Sequence, residues 1–223
     1  MGDLHLPQGA EPLSTFRALL MEVKSAEPDL VVLVGDYISH PNNIYELKNH
    51  RENIINTIKL LDPLPRAVIL GNYESWSDAD EWLSEFQRLG VSAMENEVQI
   101  ITTNKGSVCV RGLGDSYTNR FVYVEYPATC KTLPKLSITH DPAGAFDDRM
   151  NGLVIAGHTH CGQVSLPFIG PIWVPSDAPD SAHCGLYEDE QRTVFVTSGV
   201  GTSIMPIRYR AQSNWDLLSL KFN

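Results

Sequence analysis

A chain of 223 residues with 43% hydrophobic and 20% charged side chains has the size and composition of one packed domain, residues 1–223, and excludes wholesale disorder. A net charge of −10 excludes a general nucleic-acid binder, because phosphate backbones are gripped by stripes of Lys and Arg. Cys109, Cys130, Cys161 and Cys184 follow neither a zinc nor a C-x-x-C spacing and read as reduced, partly buried thiols. No signal peptide opens the chain and no apolar run is long enough to span a bilayer, so a cytoplasmic location is expected.

The chain starts on Met1-Gly2-Asp3-Leu4-His5-Leu6, a carboxylate and an imidazole two residues apart with no strand before them. From Glu11 to Ala26, Leu13, Phe16, Leu19, Leu20 and Val23 recur at helical spacing, and Pro28 ends the helix. The β-branched run from Leu30 to Val34 predicts a strand buried on both faces, leading into Gly35-Asp36. Tyr45 to Leu61 predicts a second helix. Ala67 to Leu70 predicts a second strand, ending in Gly71-Asn72-Tyr73-Glu74. Ser77 is placed to cap a third helix, Asp78 to Leu89. Short runs follow at Val98–Thr102, Ser107–Arg111, Leu136–Thr139, Val154–Ala156, Thr193–Thr197 and Trp215–Leu220, which predict strands separated by turns. Residues 119–131 read as either a helix or a lid-like loop. A βαβ first half with a strand-rich second half predicts an α/β fold of two facing mixed sheets flanked by helices.

The polar residues that close these strands are Asp3, His5, Asp36, Asn72, His140, His158 and His160. Residues i and i+2 of an extended backbone point to one side, so His158 and His160, after the strand ending at Ala156, form half of a metal site. Seven N/O donors without a thiolate suit Mn, Fe, Zn or Co, and exceed the needs of one open metal. They suit two divalent ions sharing a carboxylate.

The ordered set Asp3-x-His5, Gly35-Asp36, Gly71-Asn72-x-Glu74, His140 and Gly157-His158-x-His160 resembles the calcineurin-like metallophosphoesterase superfamily. The run from Gly157 to Gln163 and the tail from Ser198 to Ser203 with Pro206-Ile207-Arg208 resemble its small bacterial members, whose last metal motif reads G-H-T-H-G-G-Q. The resemblance implies a four-layer α/β/β/α sandwich, here without the strand that relatives have before Asp-x-His. It implies hydrolysis of a phosphomonoester, phosphodiester or pyrophosphate bond by a hydroxide bridging two metals, with Mn2+ the first choice. Asp3, His5 and His160 would hold the first metal, Asn72, His140 and His158 the second, and Asp36 would bridge them.

Three departures from that pattern carry expectations. Tyr73 stands where relatives have a His that protonates the leaving group and that Glu74 orients, so turnover should be slow or favour good leaving groups. Cys161 replaces a Gly, at a cost if φ is positive there. Asp3 and His5 hang on a nearly free N-terminus, so the first metal should be the weaker. His40, His50 and His183 read as solvated, with His40 near the cleft mouth. Asp115 reads as a turn residue, Gln163 as either a substrate contact or a loop closure, and Arg208 and Arg210 as a solvated face. A small-molecule or lipid-linked phosphate ester is the expected partner, and Phe168, Ile169, Ile172 and Trp173 would line an apolar groove or meet a membrane edge. The alternative function is a scaffold that retains the fold without catalysis.

Overall fold

The structure, a computed structural model, describes residues 1–221. Strands β1 (Val31–Val34) and β2 (Arg66–Ile69) pair in parallel, Val31 opposite Arg66 and Val34 opposite Ile69. Their side chains alternate between two cores. Val31, Leu33 and Val68 face the helices, while Val32, Val34, Ala67 and Ile69 face the second sheet. Burial on both faces explains why the runs are continuously apolar. Helices α1 (Ala10–Ser25), α2 (Leu47–Ile58), α3 (Asn72–Trp76) and α4 (Ala79–Arg88) lie in the first half. The first core takes Phe16 and Leu20 from α1, Ile54 and Ile58 from α2, and Trp82 and Phe86 from α4. The α4 cap is Asp78, whose carboxylate accepts from Glu81 N–H at 3.1 Å; Ser77 instead accepts from the Trp82 indole at 2.9 Å.

The second sheet comprises β3 (Glu97–Thr103), β4 (Gly106–Gly112), β5 (Lys135–Ile138), β6 (Gly152–Ala156), β9 (Gly185–Glu188) and β10 (Arg192–Val196), in the order β3-β4-β5-β6-β10-β9. Its four central strands run parallel, and β3 and β9 add antiparallel edges. Val110, Leu136, Ile138 and Ile155 fill the space against the first sheet. The opposite face, with Val154, Ala156, Val194 and Val196, is covered by Leu113, Ala145 and Met150 from loops and short 3-10 turns. A two-residue ladder, β7 (Ser165–Leu166) with β8 (Gly170–Pro171), forms a separate hairpin. The α/β architecture with facing sheets is therefore the one the sequence predicts.

Two sequence expectations are corrected, and the choice left open for 119–131 falls to a loop. Residues 215–220 form no strand: Leu218 packs between the sheets and the Trp215 indole donates to Glu22 at 3.1 Å, but the backbone joins no ladder among the described residues. Residues 119–131 hold only the 3-10 turn Ala128–Cys130, and their aromatic side chains grip Arg111, whose guanidinium lies 5.0 Å from Tyr123 and 4.5 Å from Tyr126. The cysteines are not thiols. Cys109 pairs with Cys130 and Cys161 with Cys184. Each pair joins residues more than twenty positions apart, which spacing alone does not reveal. Paired cysteines are the usage of oxidising compartments, so cysteine content no longer supports a cytoplasmic location. No helix among the described residues is long and apolar enough to cross a membrane.

Candidate metal centre

The parallel strands deliver their polar residues at one end of the two sheets. Asp36 follows β1, Asn72 follows β2, His140 follows β5, and His158 and His160 follow β6. Asp3 and His5 arrive differently. The carbonyls of Gly35, Asp36 and Tyr37 accept from the N–H groups of Asp3 to Leu6 at 2.7–3.0 Å, and on the other side Val200 and Gly201 donate to the carbonyls of Gly2 and Asp3 at 3.1 and 2.6 Å. The segment is therefore pinned on two sides and buried, not free, held by the backbone of 35–37 and of 200–201.

All seven side chains are buried and form two groups. In the first, His5 Nε2 and His160 Nε2 lie 2.9 Å apart, with Asp3 Oδ1 3.7 Å from His160 Nε2. In the second, His140 Nε2 lies 3.3 Å from Asp36 Oδ2, 3.0 Å from Asn72 Oδ1 and 3.2 Å from His158 Nδ1. Asp36 Oδ2 is also 3.5 Å from His5 Nε2, so one carboxylate oxygen faces both groups. His158 and His160 part company because the chain leaves extended geometry after β6: their φ angles are +69° and +49°. The rule that i and i+2 share a side does not apply there. Asp3, His5 and Asp36 are also left-handed, at +53°, +45° and +53°, an accumulation of backbone strain typical of a functional site. Cys161, at +52°, carries the cost expected for a residue in a Gly position. Close approach depends on Gly157, where an added Cβ would sit 2.8 Å from Asp3 Oδ2, and on Gly71, where it would strike Asp36 Oδ1.

Electrostatics follow from burial. It pushes the Asp3 carboxyl up to about 7, and pulls the His5 imidazole down to about 4 and His160 well down, so both rings are neutral near pH 7. Burial opposes ionisation of Asp36, but His140 outweighs it and holds that carboxyl far below its usual range; His140 is raised well above its own for the same reason. The donors fit a metal. Asp3, His5 and His160 each bring one ligand atom within 4.8 Å of the others, as do Asp36, His140 and His158, and carboxylate and imidazole donors without a thiolate suit a divalent ion. His140 Nδ1 donates to the Val34 carbonyl at 2.6 Å and His158 Nε2 to that of Pro175 at 2.5 Å, which turns the opposite ring nitrogen of each toward the second group. His160 is wired the opposite way. Arg208 is half-buried rather than on a solvated face, and its guanidinium donates to His160 Nδ1 at 2.9 Å, leaving the ring proton on Nε2. Arg210 is exposed, as expected.

Glu74 does not orient the Tyr73 phenol. Its carboxylate accepts from the N–H groups of Asp36, Tyr37, Ile38 and Gly71 at 2.8, 2.8, 3.3 and 2.9 Å, clamping the ends of β1 and β2 together. Glu74→Ala would strand four buried donors and is expected to cost about 3–5 kcal/mol, read by urea denaturation; a loss below about 1 kcal/mol would contradict this role. His50 and His183, expected in solvent, are buried and bound to the carbonyls of Leu6 and Ala178 at 2.9 and 2.7 Å. Asp115 is a turn residue, accepting from Thr118 N–H at 3.0 Å. Gln163 closes a loop: its amide joins Ser203 and Met205. The site opens into a cavity of about 410 Å3, whose walls include His40, Tyr73, Trp76, Tyr117, Ile172 and Trp173. A larger depression of about 1010 Å3, lined by 131–135 and 218–221, holds none of the strand-end residues.

The model of the calcineurin-like phosphoesterase family matches residues 1–162. The chain belongs to the calcineurin-like phosphoesterase family. It is a phosphoesterase, with two groups of side chains able to hold metal. This phosphoesterase is 25% identical over 218 residues to the metallophosphoesterase YkuE of Bacillus subtilis, covering 94% of this chain and 73% of that one. It is 25% identical over 230 residues to the phosphodiesterase YaeI of Escherichia coli, covering 99% and 80%. A solved putative 5'-nucleotidase from Staphylococcus aureus shares the fold at 12% identity and a TM-score of 0.51; the match covers 88% of this chain and 47% of that one.

Proposed function

We propose that this phosphoesterase, working as one domain over residues 1–223, uses a dinuclear metal centre to hydrolyse a phosphomonoester, phosphodiester or pyrophosphate. The observation that carries the reading is the Asp36 Oδ2 atom, within 3.5 Å of a histidine nitrogen in each group. Asp3, His5 and His160 would hold one divalent ion, Asn72, His140 and His158 the other, and Asp36 both; manganese, iron, zinc and cobalt suit such donors. When bound, the ions supply Lewis acidity that offsets phosphate charge and activates water. The chain's own part is positional. Val34 and Pro175 fix the tautomers of His140 and His158, Glu74 fixes the two loops, and the Tyr73 hydroxyl stands at the cavity wall as a donor. The first group is the weaker one, because Arg208 opposes ligation through His160 Nε2, not because the N-terminus is loose.

Purified protein supplied with Mn2+ should hydrolyse p-nitrophenyl phosphate or its diester, and elemental analysis should find two ions per chain, the first lost sooner on dialysis. No hydrolysis with any divalent metal would sink the reading. The alternative of a non-catalytic scaffold has no observation in its favour.

A further inference from the structure

Beyond the ligand groups, the cavity wall continues onto an outer surface built from two segments, 164–173 and 203–209. The surface is a hydrogen-bonded frame. Val164 bridges Tyr209, Ser165 N–H donates to the Tyr209 carbonyl and Tyr209 N–H to that of Gln163, both at 2.9 Å, and the Gln163 amide holds Ser203 and Met205. The frame carries large apolar side chains into solvent. Phe168 is fully exposed, Ile204 80% and Ile169 75%, and Ile172, Trp173 and Ile207 are each more than half exposed. Phe168 and Ile204 do so at φ angles of +66° and +60°, a strained backbone for bulky side chains. Their exposure leaves that strain without an offsetting core contact. Contiguous exposed apolar surface of this kind marks an interaction site.

Charge narrows the partner. The chain carries 44 charged Lys, Arg, Asp and Glu residues (17 + 27) with a net charge of −10, yet residues 161–176 contain none, and 198–212 contain only Arg208 and Arg210. The face is thus apolar with an exposed arginine at its margin, in an otherwise acidic molecule. A protein partner requires roughly one hydrogen bond per 100–200 Å2, and these side chains offer almost none. A bilayer requires none, accepts Trp and aliphatic side chains at its interface, and attracts cations to its phosphate headgroups.

We propose that the surface formed by 164–173 and 203–209 docks on a lipid bilayer. Ile172, Trp173, Ile204 and Met205 belong both to this surface and to the wall of the catalytic cavity. Docking therefore sets the cavity mouth at the level of the phosphate headgroups.

The test uses the whole chain and vesicles of equal parts phosphatidylcholine and phosphatidylglycerol, with chelator present so that binding is read without turnover. The wild type should sediment with the vesicles. A Phe168→Ser, Ile169→Ser double variant, altered at a hairpin tip outside the cavity, should lose about tenfold or more in vesicle affinity. Its circular dichroism should match the wild type, which shows that it folds, and in metal-containing buffer so should its hydrolysis of p-nitrophenyl phosphate. A wild type that stays in the supernatant overturns the proposal, as does a double variant that binds equally well. A dimer seen by analytical ultracentrifugation that the double variant dissolves also overturns it, and assigns the face to a second copy. Loss of phosphoesterase activity in every metal would leave the vesicle result intact, so the two readings fail separately.

Discussion

Asp36→Asn is expected to slow hydrolysis of p-nitrophenyl phosphate about a thousandfold while leaving the fold in place. The substitution keeps a carbonyl oxygen that can accept from Tyr73 N–H, as Asp36 Oδ1 does at 2.9 Å. It replaces the charged oxygen that faces His5 and His140 with an amide nitrogen, which cannot ligate a cation. The two groups then lose the only atom they have in common among the described residues. Circular dichroism should be unchanged, and elemental analysis should show metal content falling together with rate. A variant that keeps more than about a tenth of the activity would remove Asp36 from the centre of the mechanism.

Tyr73→His is expected to raise kcat/KM on alkyl phosphates about a hundredfold, the range of a positioned general acid. Burial pushes the Tyr73 phenol above its ordinary value, which makes it a still poorer proton donor to a leaving alkoxide. Its hydroxyl lies 2.8 Å from Ser203 Oγ and its ring packs edge-on against His5 at 4.5 Å, so an imidazole in its place would stand at the same cavity wall. With p-nitrophenyl phosphate, whose leaving group needs no proton, the change should stay under about threefold. A series of esters of rising leaving-group pKa provides the measurement: the wild type should slow steeply along it and the variant gently. Parallel slopes would show that residue 73 does not meet the leaving group.

The fold was legible where burial leaves a pattern in the sequence. β1 and β2 are apolar on both faces because each divides its side chains between two cores, and their ends could be read from Gly35 and Gly71. Residues 215–220 failed because a short run rich in Leu and Trp imitates a strand, whereas only Trp215 and Leu218 pack against the cores and the segment forms no ladder among the described residues. The strand-end residues were legible because His, Asp and Asn at successive strand ends are rarely placed together for packing alone. What the sequence did not reveal was how they are held. Glu74 and Arg208 act through backbone groups and a ring nitrogen distant in the chain, and no local spacing signals such partners. The cysteine pairs were hidden for the same reason: Cys161 and Cys184 are 23 positions apart, and the loop after β6 that carries Cys161 runs through several left-handed residues.

The pinned segment at Asp3 and His5 also bears on how the protein folds. His5 and His160 are 155 residues apart in sequence yet 2.9 Å apart in space, and the Asp3 carboxylate accepts from His158 N–H across the same span. No local piece of the chain contains either complete ligand group, so an unfolded or half-folded chain presents scattered donors rather than a site. Metal held by these groups would therefore bind the native state almost exclusively, and its binding free energy would add to folding stability with little lost to the denatured ensemble. At a hundredfold excess over the dissociation constant that is about 2.7 kcal/mol per ion. Withdrawal of metal is thus expected to shorten the lifetime of the protein as well as to stop its chemistry.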